Sequence, residues 1–114
     1  MKRDDRATIL DIITHARQAQ QFVKGCGREV LEQDDMRRLA ILFALATIGE
    51  AVSRLTPEFV AAHPTLPWSG MKAARNRLIH GYDSVDLDVV WRIATVDVPE
   101  LLAQLSTEAP PESP

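Results

Sequence analysis

Asp34-Asp35-Met36-Arg37-Arg38-Leu39-Ala40-Ile41-Leu42-Phe43-Ala44-Leu45-Ala46-Thr47-Ile48 opens a segment that runs on through Val52 to Leu55, and its reading decides the fold. The two leading acids suit a helix N-terminus, where unpaired backbone amides carry partial positive charge. Behind them Met36, Leu39, Ala40, Leu42, Phe43, Ala46, Ile48, Val52 and Leu55 make the helix apolar around more than half its circumference. A chain of 114 residues offers too few neighbours to cover such a helix, so part of its surface is expected to meet another subunit. The expected assembly is a homodimer.

Toward the N-terminus, Ile9, Ile12, Ile13, Ala16, Ala19, Phe22 and Val23 recur at steps of three and four, one apolar stripe on a helix that Gly25 and Gly27 end. Toward the C-terminus, Thr56-Pro57-Glu58 reads as a capped helix start with proline at the first helical position, followed by a loop stiffened by Pro64 and Pro67. Trp68 to His80 predicts a third long helix with Met71, Ala74, Leu78 and Ile79 inward and Gly81 at its end. A last helix starts about Asp86 and carries Val89, Val90, Ile93, Ala94, Leu101, Leu102 and Leu105. Pro99, which has no amide hydrogen to donate, is expected to kink or interrupt it. No sustained two-residue alternation, repeat period or glycine-rich phosphate loop is present. The fold class is all-α, an antiparallel bundle of four to five helices, dimeric, over residues 1–106 as one domain; the Pro-rich tail 107–114 is expected to be disordered.

Composition narrows the function. The longest apolar stretch, Leu39 to Ile48, falls well short of the ~20 residues of a membrane-spanning helix, and the charged opening Lys2 to Arg6 precedes no signal-peptide apolar run. A cytoplasmic location without a membrane partner is the default. Cys26 is alone, which excludes an intrachain disulfide and a cysteine-built metal site. A net charge of −3 counts against a protein that grips long nucleic acid through a broad basic surface, so DNA is not an expected partner and any contact with RNA must be local.

Arg75-Asn76-Arg77-Leu78-Ile79-His80-Gly81-Tyr82 gathers the residues suited to such a contact. Cleaving RNA without a metal needs a base for the ribose 2′-hydroxyl proton, an acid for the leaving oxygen and a cation for the charge that develops at phosphorus. Histidine, with an ordinary pKa of about 6.5, supplies both protonation forms near neutrality, and arginine offers a planar fork of donors to phosphate oxygens. His80 and Arg75 are the catalytic candidates, with Asn76 and Arg77 supporting and Asp83 close enough in sequence to orient the His80 ring. Five residues at 3.6 per turn put Arg75 and His80 about 140° apart on a straight helix. Their convergence on one phosphate needs a loosened helix end at Gly81 or a second copy of the motif across a dimer interface. Taken singly, each residue reads as easily as a solvated charge or a helix-terminal histidine; the combination, containing the single tyrosine of the chain, is what carries the signal. His15 and His63 read as structural or surface residues. Asp86 reads as a helix cap and Asp88 as a first-turn acid.

Arg75-x4-His80-x-Tyr82 resembles the Arg-x4-6-His signature of HEPN-domain ribonucleases, and its tyrosine extension resembles the HepT toxin group of that superfamily. Ile48-Gly49-Glu50-Ala51, Leu66-Pro67-Trp68, Val85-Asp86 and Val90-Trp91 stand in the order expected of HepT-like chains. The resemblance implies a HEPN-like dimeric helical toxin of a type VII toxin–antitoxin system that cleaves RNA and needs no cofactor. It also implies a partner, an MntA-like nucleotidyltransferase antitoxin that transfers AMP from ATP to the motif tyrosine, here Tyr82. Two further readings stay open: a non-catalytic nucleotide- or substrate-binding subunit of a two-component nucleotidyltransferase, with Arg75 and Arg77 as phosphate clamps, and a plain helical dimerisation module.

Overall fold

The computed structural model describes residues 3–80 and 86–107, with side chains except at positions 3, 4, 73 and 77–80. In chain order the elements are α1 (Arg3–Val23), α2 (Val30–Gln33), α3 (Asp35–Val52), α4 (Pro57–Ala62), α5 (Trp68–His80), α6 (Leu87–Arg92), a five-residue π-turn (Ile93–Asp97) and α7 (Val98–Ser106). No strand occurs among the described residues, in agreement with the all-α class.

The helix ends follow the expected chemistry. The Asp34 carboxylate caps α3 by accepting from the Arg37 amide, and the Thr56 hydroxyl caps α4 with Pro57 at the first position. Asp86 caps α6 by accepting from the amides of Asp88 and Val89. After α1, Gly25 takes φ +73°, a left-handed conformation that lets the chain turn sharply. The short helix α2, between that turn and α3, is not among the sequence expectations: at four residues it completes no apolar period, and it buries only Leu31.

The layers stack around α3, which packs against α1 on one side and α5 on the other, while α1 also meets α7. Ile9, Ile12, Ala16 and Ala19 of α1 interleave with Ile41, Leu45, Ile48 and Val52 of α3, all buried, and Leu101 and Leu105 of α7 close the core. The start of α1 lies beside the end of α3, because the buried Asp5 carboxylate accepts from both the amide (3.0 Å) and the hydroxyl (2.6 Å) of Thr56. That arrangement makes α1 and α3 antiparallel. Asp5 thereby ties the first helix to the cap of α4 with both of its oxygens satisfied.

Pro99 does not interrupt the last helix. The backbone runs helically from Leu87 to Ser106, and the five residues before α7 widen into π register, with the Val98 amide reaching the Ile93 carbonyl. A proline at position 99 leaves the carbonyl four residues back without its donor, and one wide turn absorbs that loss while Ile93, Ala94 and Val98 stay buried. The expected tail lies, from residue 108 on, outside the described residues.

The site-bearing helix α5 is seated by its N-terminal approach. Leu66 and Trp68 are buried, the Trp68 indole Nε1 donates to the His63 carbonyl at 2.7 Å, and the rings of His63 and Phe59 stack at 4.2 Å. Further along, Met71 and Ala74 turn inward against α3. The two helices touch backbone to backbone at Gly49, where a Cβ would stand 2.6 Å from Arg75 Cβ and 2.8 Å from the Met71 carbonyl oxygen. Neither neighbour is the free end of a side chain, so any residue larger than glycine must push α3 and α5 apart. Gly49→Ala should therefore destabilise the fold by about 1–3 kcal/mol, each kcal/mol lowering Tm by roughly 4–8 °C in a domain of this size. Thermal unfolding followed by circular dichroism measures it, and an unchanged Tm would mean that the crossing is not tight.

Candidate functional site at the outer edge of the third long helix

The sequence candidates Arg75, Asn76, Arg77 and His80 all lie on α5, and His80 is the last described residue before position 86. Arg75 and Asn76 are described in full; for Arg77 and His80 the description covers the backbone alone. Gly81, Tyr82 and Asp83, and with them the expected roles of Tyr82 and of Asp83 as orienter of the His80 ring, lie outside the described residues.

Arg75 follows the buried Ala74 and sits where α5 leaves the core, half-buried against Gly49 on its backbone side and open outward. Its guanidinium is held by Glu50 of α3: Nε donates to Oε2 at 2.5 Å. The Glu50 and Arg75 side chains are 48% and 36% exposed, so water screens the pair and its contribution to stability is small, typically no more than about 1 kcal/mol. The pairing turns Nε of Arg75 toward Glu50 and adds little to the stability of the fold. Asn76 is exposed beside it, and Lys72 and Arg92 are exposed cations.

Sequence reading singles out Glu50 only as part of a family-like run and gives it no role. One physical signal marks it. Glu50 lies in the last turn of α3, where the helix dipole disfavours a carboxylate, so a negative side chain at that position calls for a cation nearby. Its neighbour Gly49 supplies the other half, since the absent side chain lets α5 come close enough for a short reach.

The chain resumes at the Asp86 cap of α6, and Arg28 anchors that end by pairing with Asp88 and, at 2.5 Å, with Glu32 of α2. Those two carboxylates hold the Arg28 guanidinium in its charged form even more firmly than usual.

The other two histidines make local side-chain contacts. His15 Nδ1 lies 3.1 Å from the Gln18 side-chain oxygen on α1, and His63 Nδ1 lies 2.8 Å from the Phe59 carbonyl at the end of α4. Among the described residues no group of three or more His, Cys, Asp or Glu side chains is placed to hold a metal ion, and no helix is long and apolar enough to cross a membrane.

The family model described as "Ribonuclease HepT-like" matches residues 12–108, from the middle of α1 to beyond α7. The chain belongs to the HepT-like ribonuclease family. Among its relatives, a protein of Methanocaldococcus jannaschii named as a candidate RNase is 35% identical over 100 residues, covering 88% of this chain and 92% of its own. A second protein of that organism, also named as a candidate RNase, is 30% identical over 104 residues, 91% of this chain and 86% of its own. A protein of Thermococcus cleftensis named as a probable HepT ribonuclease is 33% identical over 101 residues, 89% and 92%. No solved structure matches the chain. The HepT-like match takes in the second half of α1 and every later helix, α5 with the motif residues included, and makes the chain a ribonuclease by class.

Proposed function

We propose that the chain is an endoribonuclease toxin of a type VII toxin–antitoxin system, acting in the cytoplasm without a metal through Arg75 and His80. The observation that carries the reading is the family match over residues 12–108, combined with an arginine held outward at the edge of the same helix that ends in His80.

The chemistry assigned to these residues is transesterification. A neutral imidazole takes the proton of a ribose 2′-hydroxyl, the 2′-oxygen attacks the adjacent phosphorus, and the bond from phosphorus to the 5′-oxygen breaks as an imidazolium returns a proton to it. The products are a 2′,3′-cyclic phosphate and a 5′-hydroxyl. Arg75 stabilises the charge on the non-bridging oxygens through the nitrogens that Glu50 leaves unoccupied. Asn76 and Arg77 follow Arg75 on α5 and support substrate binding; Asp83 orients the ring of His80.

Because Arg75 and His80 diverge by about 140° on the helix, two copies of the motif meeting at one cleft supply base, acid and cation more readily than one. A homodimer is supported by α3, whose outward side carries Met36 at 84%, Leu39 at 52% and Phe43 at 74% exposure. Beside them lies an open apolar groove of about 720 Å³ between α1 and α3, lined by Phe22, Leu39, Ala40, Leu42 and Phe43. Apolar surface concentrated in this way on a small domain is the usual mark of an interface.

Control is assigned to Tyr82. Its phenol oxygen would attack the α-phosphorus of ATP bound by an MntA-like antitoxin, pyrophosphate would leave and the phenolic proton would pass to solvent. The AMP so attached places bulk and a negative charge where the RNA phosphate has to sit.

Three measurements test the reading. His80→Ala should lower RNA cleavage by about 10²–10⁴-fold and abolish growth inhibition in a folded chain; undiminished cleavage by that variant would overturn the assignment of the motif, and tight ATP binding in a chain that never cleaves RNA would count for the nucleotide-binding alternative. Phe43→Glu should convert a dimer to a monomer in sedimentation experiments without loss of helicity, since Phe43 is outside the core; a wild-type monomer would remove the dimer from the account. Incubation with ATP and the partner should add the mass of one AMP to the peptide containing Tyr82, and an adduct on another residue would overturn that assignment.

A further inference from the structure

We infer that Glu50 is a positioning residue of the ribonuclease site, acting through Arg75; this rests on the assignment of Arg75 to the phosphate made above. Three independent features converge on it. Glu50 Oε2 accepts from Arg75 Nε at 2.5 Å, and Glu50 is the partner of that guanidinium among the described residues. The backbones that carry the two side chains are held together by the Gly49 crossing, so the pair is built on two rigid helices rather than on a loop. The carboxylate also stands in the last turn of α3, against the helix dipole, a placement that stabilises the fold only in so far as a cation answers it.

The geometry divides the guanidinium. Glu50 occupies the Nε edge and leaves the outer edge, with the two terminal nitrogens, to face a phosphate. A fork held at its base loses less rotational freedom when it binds and meets the developing phosphorane with its donors already aligned. The same pairing has an electrostatic consequence of opposite sign. Glu50 cancels the net charge of Arg75, so it weakens the general attraction of this acidic chain for RNA while it sharpens the aim of the one cation at the scissile phosphate.

These two effects separate in kinetics. In a short RNA cleavage assay on the full-length chain, Glu50→Ala should reduce kcat by about 10- to 100-fold, because a misplacement on the order of 1 Å at a reacting group costs up to about 10²-fold. KM should stay level or fall, because the unpaired Arg75 adds a net positive charge. Glu50→Gln, which keeps an oxygen acceptor at the same reach, should recover part of the lost kcat. Loss of a purely structural residue would not lower kcat while tightening KM, and the glutamine variant would not restore turnover. A readout free of catalysis accompanies it: the Arg75 Nε–H resonance, identified by its disappearance in Arg75→Lys, should exchange slowly with water in the wild-type chain and quickly in Glu50→Ala.

His80→Ala run alongside distinguishes the failures. If His80→Ala is inactive while Glu50→Ala keeps the wild-type kcat, or loses apparent kcat only in proportion to a loss of folded protein, the positioning role is overturned and the ribonuclease assignment stands. If His80→Ala cleaves as the wild type does, the assignment of the motif falls and the role of Glu50 falls with it.

Discussion

The close approach of α3 and α5 at Gly49 is the constraint on which the rest of the molecule depends. Where two helices cross with backbone in contact, their separation is set by the absence of a side chain rather than by the compromise of many rotamers. The consequence runs outward along α5. Met71 and Ala74 fall into the core at the crossing, and Arg75, one residue further around the helix, emerges at its rim with Glu50 within a single hydrogen bond. A wider spacing would leave Met71 underpacked and would put the Glu50 carboxylate out of reach of Arg75.

α3 carries two loads at once, which explains its composition. Ile41, Leu45, Ile48 and Val52 face α1 and α5 and form the core, whereas Met36, Leu39 and Phe43 cover the opposite side. A helix serving only the first load would be polar on its outer side, as α1 is at Arg6, Asp11, Arg17 and Gln18. The apolar outer stripe is therefore surplus to the fold of one chain.

Most of the fold is legible in the sequence because its determinants are local. The caps Asp34, Thr56 and Asp86, the end of α1 before Gly25 and the start of α5 after Pro67 follow from local chemistry within a few residues of each helix terminus. The π-turn before Pro99 is not legible in the same way. A proline in a helical pattern announces only that one backbone bond is missing, and whether the helix breaks, kinks or widens depends on how firmly Ile93, Ala94 and Val98 are held by the core around them. The candidate site divides likewise. Arg75 and His80 are close in sequence and stand out as a motif, but the contact from Glu50 to Arg75 spans 25 positions and depends on the helix crossing, which no local pattern encodes.

The outer stripe of α3 and the rim of the site prove to be one surface. Phe43 and Glu50 are seven residues apart, two turns less about 20°, so both lie on the same side of α3, with Glu50 about 10 Å further along the axis. Whatever covers Phe43 must therefore reach toward the Glu50–Arg75 pair. For an acidic chain this proximity matters to the proposed role of Arg75, because excluding water beside a half-exposed guanidinium would strengthen its hold on a phosphate at that one place, with no need for a basic surface elsewhere. In the proposed dimer, the apolar contact that joins two chains and the cleft in which two motif helices meet are then consequences of a single helix face. The divergence of Arg75 and His80 on one straight helix ceases to be an obstacle and becomes a reason for the second subunit.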